Sequence, residues 1–202
     1  MIIKKKKMSN QIETREIETD VIEIREENSE NKTIVGYAVK WNKPSETLGF
    51  SKRFKEVFVK GAFKESLQND DQRALWSHDT SKVLGRTKNN TLRLFEDDVG
   101  LRIELDLPNT TLGIDTYKTV KRGDIDGVSF GFRMQKQFWD DKDKNNIIRK
   151  ITKAKLLEIS PVAFPAYPDS LVSARSHDPY MEYCQNQDEE LRRKKLIIKT
   201  YL

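Results

Sequence analysis

Residues 127–139 read GVSFGFRMQKQFW, with bulky apolar residues at every second position of the first half, Val128, Phe130 and Phe132. A two-residue period is typical of a β-strand with one buried face. The alternate positions hold Gly127, Ser129 and Gly131, so a glycine lies on either side of the serine along that face. The segment therefore predicts a core strand whose second face carries little except a serine hydroxyl.

The segments around this strand extend the pattern. A polar run over residues 140–146 predicts a hairpin tip that leads into a long second strand at 147–159. Alternating leucine and isoleucine over residues 101–107 predict the clearest single strand. A helix capped by a threonine is expected to follow it and to run to about Arg122.

Two further strands are predicted nearer the start, one with a bulge over residues 17–24 and one over residues 74–78. Many short strands with two or three helices predict an α+β, mainly β fold, with a closed or nearly closed β-barrel and a few flanking helices. We expect a basic flexible arm at 1–14, one folded domain at 15–175 and a charged tail at 176–202. The tail is expected to form a short amphipathic helix or a loose end.

Composition excludes several classes of protein. No run of about 18 apolar residues exists, which argues against an integral membrane protein, so we expect no membrane partner. A net charge of +5 without a dense basic patch does not favour nucleic acid as a partner. The single cysteine, Cys184, cannot form an internal disulfide, and no ligand pair at short spacing indicates a zinc site. We therefore expect no cofactor and no metal.

Ser129 is the strongest candidate for a nucleophile, because its flanking glycines would let a substrate backbone approach its hydroxyl. The string also matches G-x-S-x-G, the nucleophile elbow of α/β-hydrolases, which needs a strand, a sharp turn and a helix. Here the extended pattern continues to Trp139, and the hydrolase order would require His177 in the polar tail. The alternative without chemistry is that the glycines permit a bulge and Ser129 is incidental.

His78 and Glu158 are the other two candidates. A serine nucleophile needs a base of near-neutral pKa, and His78 is the one histidine inside the predicted folded domain. A packed or surface histidine is the alternative. Glu158 stands in the apolar segment 156–162, where an unpaired carboxylate is costly. It is either a buried partner of an arginine or the acid that orients the base.

Five segments in this order together resemble the prohead, or capsid maturation, proteases of tailed bacteriophages. These are serine peptidases with a fold similar to the herpesvirus capsid protease, assemblin. The resemblance covers about residues 34–175. The segments are Gly61-Ala62-Phe63, then residues 75–79 with 83–87, then Gly100-Leu101, then residues 123–132, and finally residues 157–168.

The resemblance implies that Ser129 is the nucleophile, His78 its base and Glu158 the third member, where the herpesvirus relatives use a second histidine. It implies cleavage of the scaffolding protein, or of the scaffold-like amino-terminal region of the major capsid protein, inside the procapsid in the host bacterial cytoplasm. Self-cleavage is expected too, with the tail after about Arg175 as a packaging and self-processing segment. The herpesvirus relatives suggest a homo-oligomer. Candidate oxyanion donors are the backbone N–H groups of Gly85-Arg86 and Gly131-Phe132.

Two alternatives stay open at this point. A non-catalytic capsid-assembly or scaffolding module could use the same barrel, and it predicts no loss of processing when Ser129 becomes alanine. An esterase or lipase would use the G-x-S-x-G serine, and it predicts dependence on His177 rather than on His78.

Overall fold

The structure, a computed structural model, describes residues 12–17, 22–26, 32–49, 52–163 and 178–200 of the 202-residue chain. Within these residues it has ten strands and three helices. The strands are β1 (Glu13–Ile17), β2 (Glu23–Glu26), β3 (Lys32–Lys40), β4 (Lys55–Phe58), β5 (Arg73–Trp76), β6 (Asp79–Arg86), β7 (Leu92–Glu96), β8 (Gly100–Asp106), β9 (Gly127–Asp140) and β10 (Ile148–Val162). The helices are α1 (Lys64–Asn69), α2 (Thr111–Arg122) and α3 (Pro179–Thr200).

The strands form two sheets. The larger sheet has the order β1-β9-β10-β5-β6, and β4 also pairs with β10. Strand β10 is antiparallel to β9 and parallel to β4 and β5. The smaller sheet is antiparallel, with the order β2-β3-β8-β7. The fold is thus α+β and mainly β, as the sequence predicts.

The predicted closed or nearly closed barrel is not confirmed. Among the residues that the structure describes, neither sheet returns to its first strand, and each has two different edge strands. The apolar faces of the two sheets instead contribute to one shared core. Four phenylalanine rings lie at its centre, with neighbouring ring centroids 5.2–6.0 Å apart: Phe58, Phe63, Phe130 and Phe132.

The alternation at the start of β9 is confirmed, since Val128, Phe130 and Phe132 are all buried in the core. The predicted helix is confirmed as α2. The Thr110 side chain accepts a hydrogen bond from the Gly113 N–H at its start, as an N-cap does. Gly123 ends the helix in the left-handed region at φ 82°, where glycine avoids the clash of a Cβ atom.

One prediction near the chain start needs correction. The single bulged strand expected over residues 17–24 is wrong, because β1 and β2 belong to different sheets. Their short apolar patterns follow one another in the sequence, but β1 pairs with the distant strand β9 and β2 pairs with the next strand, β3. Strand β1 begins at Glu13, inside the segment expected to be a flexible arm. The first eleven residues of that arm lie outside the described residues.

The C-terminal segment contains a 22-residue helix, α3, longer than the short helix or loose tail expected there. Its first turns pack Tyr180 and Tyr183 against Trp139 of β9, with ring centroids 5.3 and 5.6 Å away. This contact builds a second, smaller apolar cluster at the far end of the β9–β10 hairpin. None of the helices among the described residues combines the length and apolar character that crossing a membrane requires.

Candidate active site

Strand β9 presents Ser129 and Gly131 on the face opposite the core. The phenylalanines on either side of Gly131 are fully buried in the core, and side chains alternate across a strand. In the β9–β10 ladder, Ser129 lies opposite Ser160 and Gly131 lies opposite Glu158. These four residues therefore share one face of the hairpin.

A β-bulge explains how Glu158 reaches this face. Leu156 pairs with Phe132 on the core side, but the next pair joins Glu158 to Gly131, so the ladder skips Leu157 on β10. In a regular strand, residues 156 and 158 would point to the same side. One extra residue reverses the side on which the following residues lie. The bulge thus removes the Glu158 carboxylate from an apolar core while keeping Leu156 inside it.

Gly131 provides the space that this carboxylate occupies. A Cβ atom at Gly131 would lie 2.6 Å from Oε1 of Glu158, closer than two such atoms can approach. A side chain at position 131 would therefore displace the Glu158 carboxylate from its present place, which gives this glycine a more specific role than the open approach expected from the sequence.

His78 lies in a turn, and this corrects the prediction of a strand through residues 74–78. Strand β5 ends at Trp76, which pairs with Asp79, so Ser77 and His78 form a two-residue hairpin loop to β6. Both have positive φ, 48° and 62°. Such a loop matches the twist of the strands it joins but usually needs glycine or asparagine. Two hydrogen bonds to β10 hold it: Ser77 N–H to the Pro161 carbonyl at 3.3 Å, and His78 N–H to Ser160 Oγ at 3.1 Å.

The turn brings His78 onto Glu158. Nδ1 of His78 lies 2.8 Å from Oε1 of Glu158, and the side chains are 30% and 16% exposed. The second carboxylate oxygen, Oε2, accepts a hydrogen bond from the Ser160 hydroxyl at 2.6 Å. A carboxylate at Nδ1 favours the tautomer with hydrogen on that nitrogen, which leaves Nε2 to take up a proton. One oxygen of Glu158 thus binds the histidine and the other binds a serine. Among the described residues, the arginine partner of the alternative interpretation is not observed at either oxygen.

Ser129 lies on the strand next to this pair, but its hydroxyl is directed elsewhere. Oγ donates its hydrogen to the main-chain carbonyl of Arg15 in β1 at 3.1 Å, and Ser129 is fully buried. A hydroxyl has one hydrogen, so this conformation does not donate it to His78. The structure therefore joins His78 to Glu158 and places Ser129 on the neighbouring strand, with its hydroxyl donating a hydrogen bond to the Arg15 carbonyl of β1.

Strand β1 is held there by a buried cluster of four charges that sequence reasoning missed. Arg149 of β10 donates to both carboxylate oxygens of Glu13, at 2.6 and 2.9 Å, and to Glu56 at 2.7 Å. Arg15 donates to Glu56 at 2.7 Å and to Glu13 at 2.6 Å. Burial raises the pKa of Glu13, but hydrogen bonds and charge from Arg149 and Arg15 outweigh it and hold the pKa at about 2.

The signal for this cluster was a charge at the edge of an apolar run in each of two strands. Glu56 directly precedes Val57 and Phe58, and Arg149 directly follows Ile147 and Ile148. A charge in such a strand indicates a buried partner. The partner could not be identified, because Glu13 is 136 residues away from Arg149 in the sequence.

Of the expected oxyanion donors, one backbone N–H is already bound. The Arg86 N–H donates to Oγ1 of Thr91 at 3.0 Å, and the Arg86 side chain pairs with Asp71. The nucleophile-elbow interpretation is not supported either, because the chain continues after Ser129 as strand β9 and not as a helix. His177, which that interpretation requires, lies outside the described residues. Across the described ranges, no group of three or more His, Cys, Asp or Glu side chains is arranged to hold a metal ion.

A comparison with protein families gives one match. The model of the caudovirus prohead serine proteases matches residues 19–182, which is most of the chain and includes His78, Ser129 and Glu158. Strand β1 lies before the matched residues. Neither the curated proteins nor the solved structures give a match.

Proposed function

The chain belongs to the caudovirus prohead serine protease family, and from this premise we propose that it is a maturation endopeptidase with Ser129 as nucleophile, His78 as general base and Glu158 as the acid that orients the base. The observation that carries the proposal is the 2.8 Å contact between Nδ1 of His78 and Oε1 of Glu158, on the sheet face that also bears Ser129. A base oriented by a carboxylate beside a serine is the arrangement that serine acyl transfer requires.

The proposed reaction begins when the Ser129 hydroxyl turns from the Arg15 carbonyl towards His78. Oγ then attacks the carbonyl carbon of a peptide bond, and its proton passes to Nε2 of His78. As the C–N bond breaks, His78 returns that proton to the leaving amine, which leaves an acyl-enzyme on Ser129. Water, deprotonated by the same histidine, hydrolyses the ester. Glu158 orients the imidazole and stabilises the imidazolium.

We further propose the substrates: the scaffolding protein, or the scaffold-like amino-terminal region of the major capsid protein. Cleavage would take place inside the procapsid in the host cell. The chain itself is the third proposed substrate, in the segment after about Arg175. Intact mass spectrometry of assembled particles tests the last point, and an active enzyme that keeps its tail uncut would contradict it.

The main test is co-expression with the cognate capsid and scaffolding proteins, with their intact masses as the readout. Wild type is expected to trim them. Ser129→Ala and His78→Ala should leave them whole, because losing either group costs on the order of 10⁴–10⁶ in kcat. Ser81→Ala, an exposed serine in the adjacent hairpin, is the matched control and should trim like wild type.

One observation favours a second candidate, a non-catalytic capsid-assembly module. Ser129 is fully buried with its hydroxyl donated to β1, as in a serine of purely structural role. The same experiment separates the two functions. Equal trimming by wild type and Ser129→Ala rejects Ser129 as the nucleophile, and shells that assemble without any trimming support the assembly module. His177→Ala tests the esterase alternative, which predicts loss of activity in that variant.

A further inference from the structure

Ser160 contacts both the proposed base, His78, and the proposed acid, Glu158. It is fully buried on β10, two residues after Glu158 and directly opposite Ser129 in the ladder. Its Oγ donates to Oε2 of Glu158 at 2.6 Å and accepts the His78 main-chain N–H at 3.1 Å. One hydroxyl thus uses its single hydrogen on the acid and a lone pair on the backbone of the base.

Both contacts act on groups that need support. Ser77 and His78 occupy the left-handed region without being glycine or asparagine, so the turn depends on what holds it. Its two bonds to β10 come from successive residues, and Ser160 supplies the one at His78 itself. The hydroxyl also fixes the rotation of the Glu158 carboxylate, because a carboxylate held at Oε2 keeps Oε1 directed at Nδ1.

We propose that Ser160 is a positioning residue that fixes the His78 turn and the Glu158 carboxylate in one geometry. It acts through these two groups and makes no contact with the substrate. The inference rests on the proposed function for its catalytic consequence, but the geometry that it describes can be measured without any substrate.

Removing the hydroxyl changes the protonation of His78 in two ways, through the charge of Glu158 and through the orientation of the imidazole, and we expect the change in charge to dominate. The Oε2 bond draws negative charge away from the carboxylate, so its loss leaves more charge on Oε1 to stabilise the imidazolium. In Ser160→Ala, the pH at which His78 takes up a proton should therefore rise. The turn loses its N–H acceptor at the same time, and the imidazole becomes less well oriented.

The first measurement is ¹⁵N NMR of the imidazole in the full-length chain. The sequence has two histidines, so His177→Ala leaves His78 as the single signal. We expect that the Nδ1–H form dominates at high pH, and that adding Ser160→Ala moves the titration midpoint to higher pH. Ser160→Thr keeps a hydroxyl and should restore the original midpoint.

The matched control is Ser66→Ala. Ser66 is another buried serine whose hydroxyl binds β10, through the Leu156 N–H at 2.9 Å, and its other side-chain partners are Asp70 and Gln72, not Glu158 or His78. Its loss should lower stability without moving the His78 titration. A midpoint that moves equally in the two variants, or in neither, overturns the proposal.

The second measurement is the rate of phosphonylation by a fluorophosphonate probe as a function of pH. The probe forms an Oγ–P bond at the nucleophile and releases fluoride, with the serine proton taken by the base. Ser160→Ala should react about 10- to 100-fold more slowly, the loss typical of a group that orients its neighbour. The acidic limb of its profile should move to higher pH. Ser66→Ala should keep the wild-type profile.

The two measurements separate this proposal from the proposed function. Labelling of wild type that persists in Ser129→Ala, or no labelling of wild type at all, rejects the catalytic assignment and with it the catalytic role of Ser160. Labelling confined to Ser129 that is equally fast in Ser160→Ala rejects the positioning role alone.

Discussion

Replacing Arg149 by methionine tests whether the buried charge cluster holds β1 in place. Arg149 is 1% exposed and makes three hydrogen bonds of 2.6–2.9 Å to Glu13 and Glu56. Methionine keeps most of the volume but leaves two buried carboxylates with Arg15 as their remaining cation. Removing one partner of a buried ion pair lowers the free energy of unfolding by roughly 3–5 kcal/mol, because the other charge stays buried without a counter-charge.

For a domain of this size, each kcal/mol lowers Tm by about 2–4 °C, so Arg149→Met is expected to lower it by about 6–20 °C at pH 7. Thermal unfolding followed by circular dichroism measures the change. The matched control is Arg122→Met, which removes an arginine that is 76% exposed and paired with Asp124. Exposed pairs contribute about 0–1 kcal/mol, so this variant should stay within a few degrees of wild type.

The pH dependence gives a second, independent check. The pKa of Glu13 is lowered from 4.5 to about 2 in the folded protein. Its contribution to stability, roughly 3 kcal/mol, is therefore fully present above pH 4.5 and lost as the pH falls towards 2. Without Arg149 the folded pKa rises, so the stability gap between variant and wild type should narrow below pH 4.5. A Tm equal to that of Arg122→Met, or a gap that is constant with pH, would refute the reasoning.

Three further predictions concern single positions. Glu158→Gln removes the charge that stabilises the imidazolium and can reverse the tautomer of His78, so capsid processing should slow by about 10⁴-fold while the circular dichroism spectrum stays native. Gly131→Ala places a Cβ 2.6 Å from Oε1 of Glu158, so the fluorophosphonate rate should fall at least tenfold, and an unchanged rate would contradict the packing argument. Gly123→Ala forces a side chain into the left-handed C-cap of α2, where φ is 82°, and it should cost about 1 kcal/mol in urea unfolding without slowing processing.

Much of the fold could be predicted from local pattern. Helix α2 and strand β8 follow from caps and alternation, and β9 follows from the apolar positions around Ser129. Strand β6 was missed, because DTSKVLGR has no clear two-residue period and half of its residues are exposed. It forms by pairing with β5, a partner that periodicity in one segment does not reveal.

For the candidate site, the sequence predicts a set of residues but not their geometry. Residue type, local setting and the family resemblance together indicate His78, Ser129 and Glu158. Strict alternation along β10 would put Glu158 beside Leu156 in the core, and only the register with β9 reveals the bulge. A bulge is a property of two strands, so the sequence of one strand cannot place it.

The left-handed turn at residues 77–78 shows why the site needs the surrounding sheet. Outside this turn, the other non-glycine residues with positive φ among the described residues are Asn42 and Asn90, a type that tolerates this conformation. Serine has no such preference and histidine a weaker one, so two successive left-handed residues at Ser77 and His78 must be held from outside. The bonds to Pro161 and Ser160 hold them, and both partners lie just past the bulge that turns Glu158 towards the histidine. The left-handed turn after β5 and the bulge in β10 are therefore linked. Moving the register of β10 by one residue would take Glu158 away from His78 and would also break the two hydrogen bonds that hold the turn.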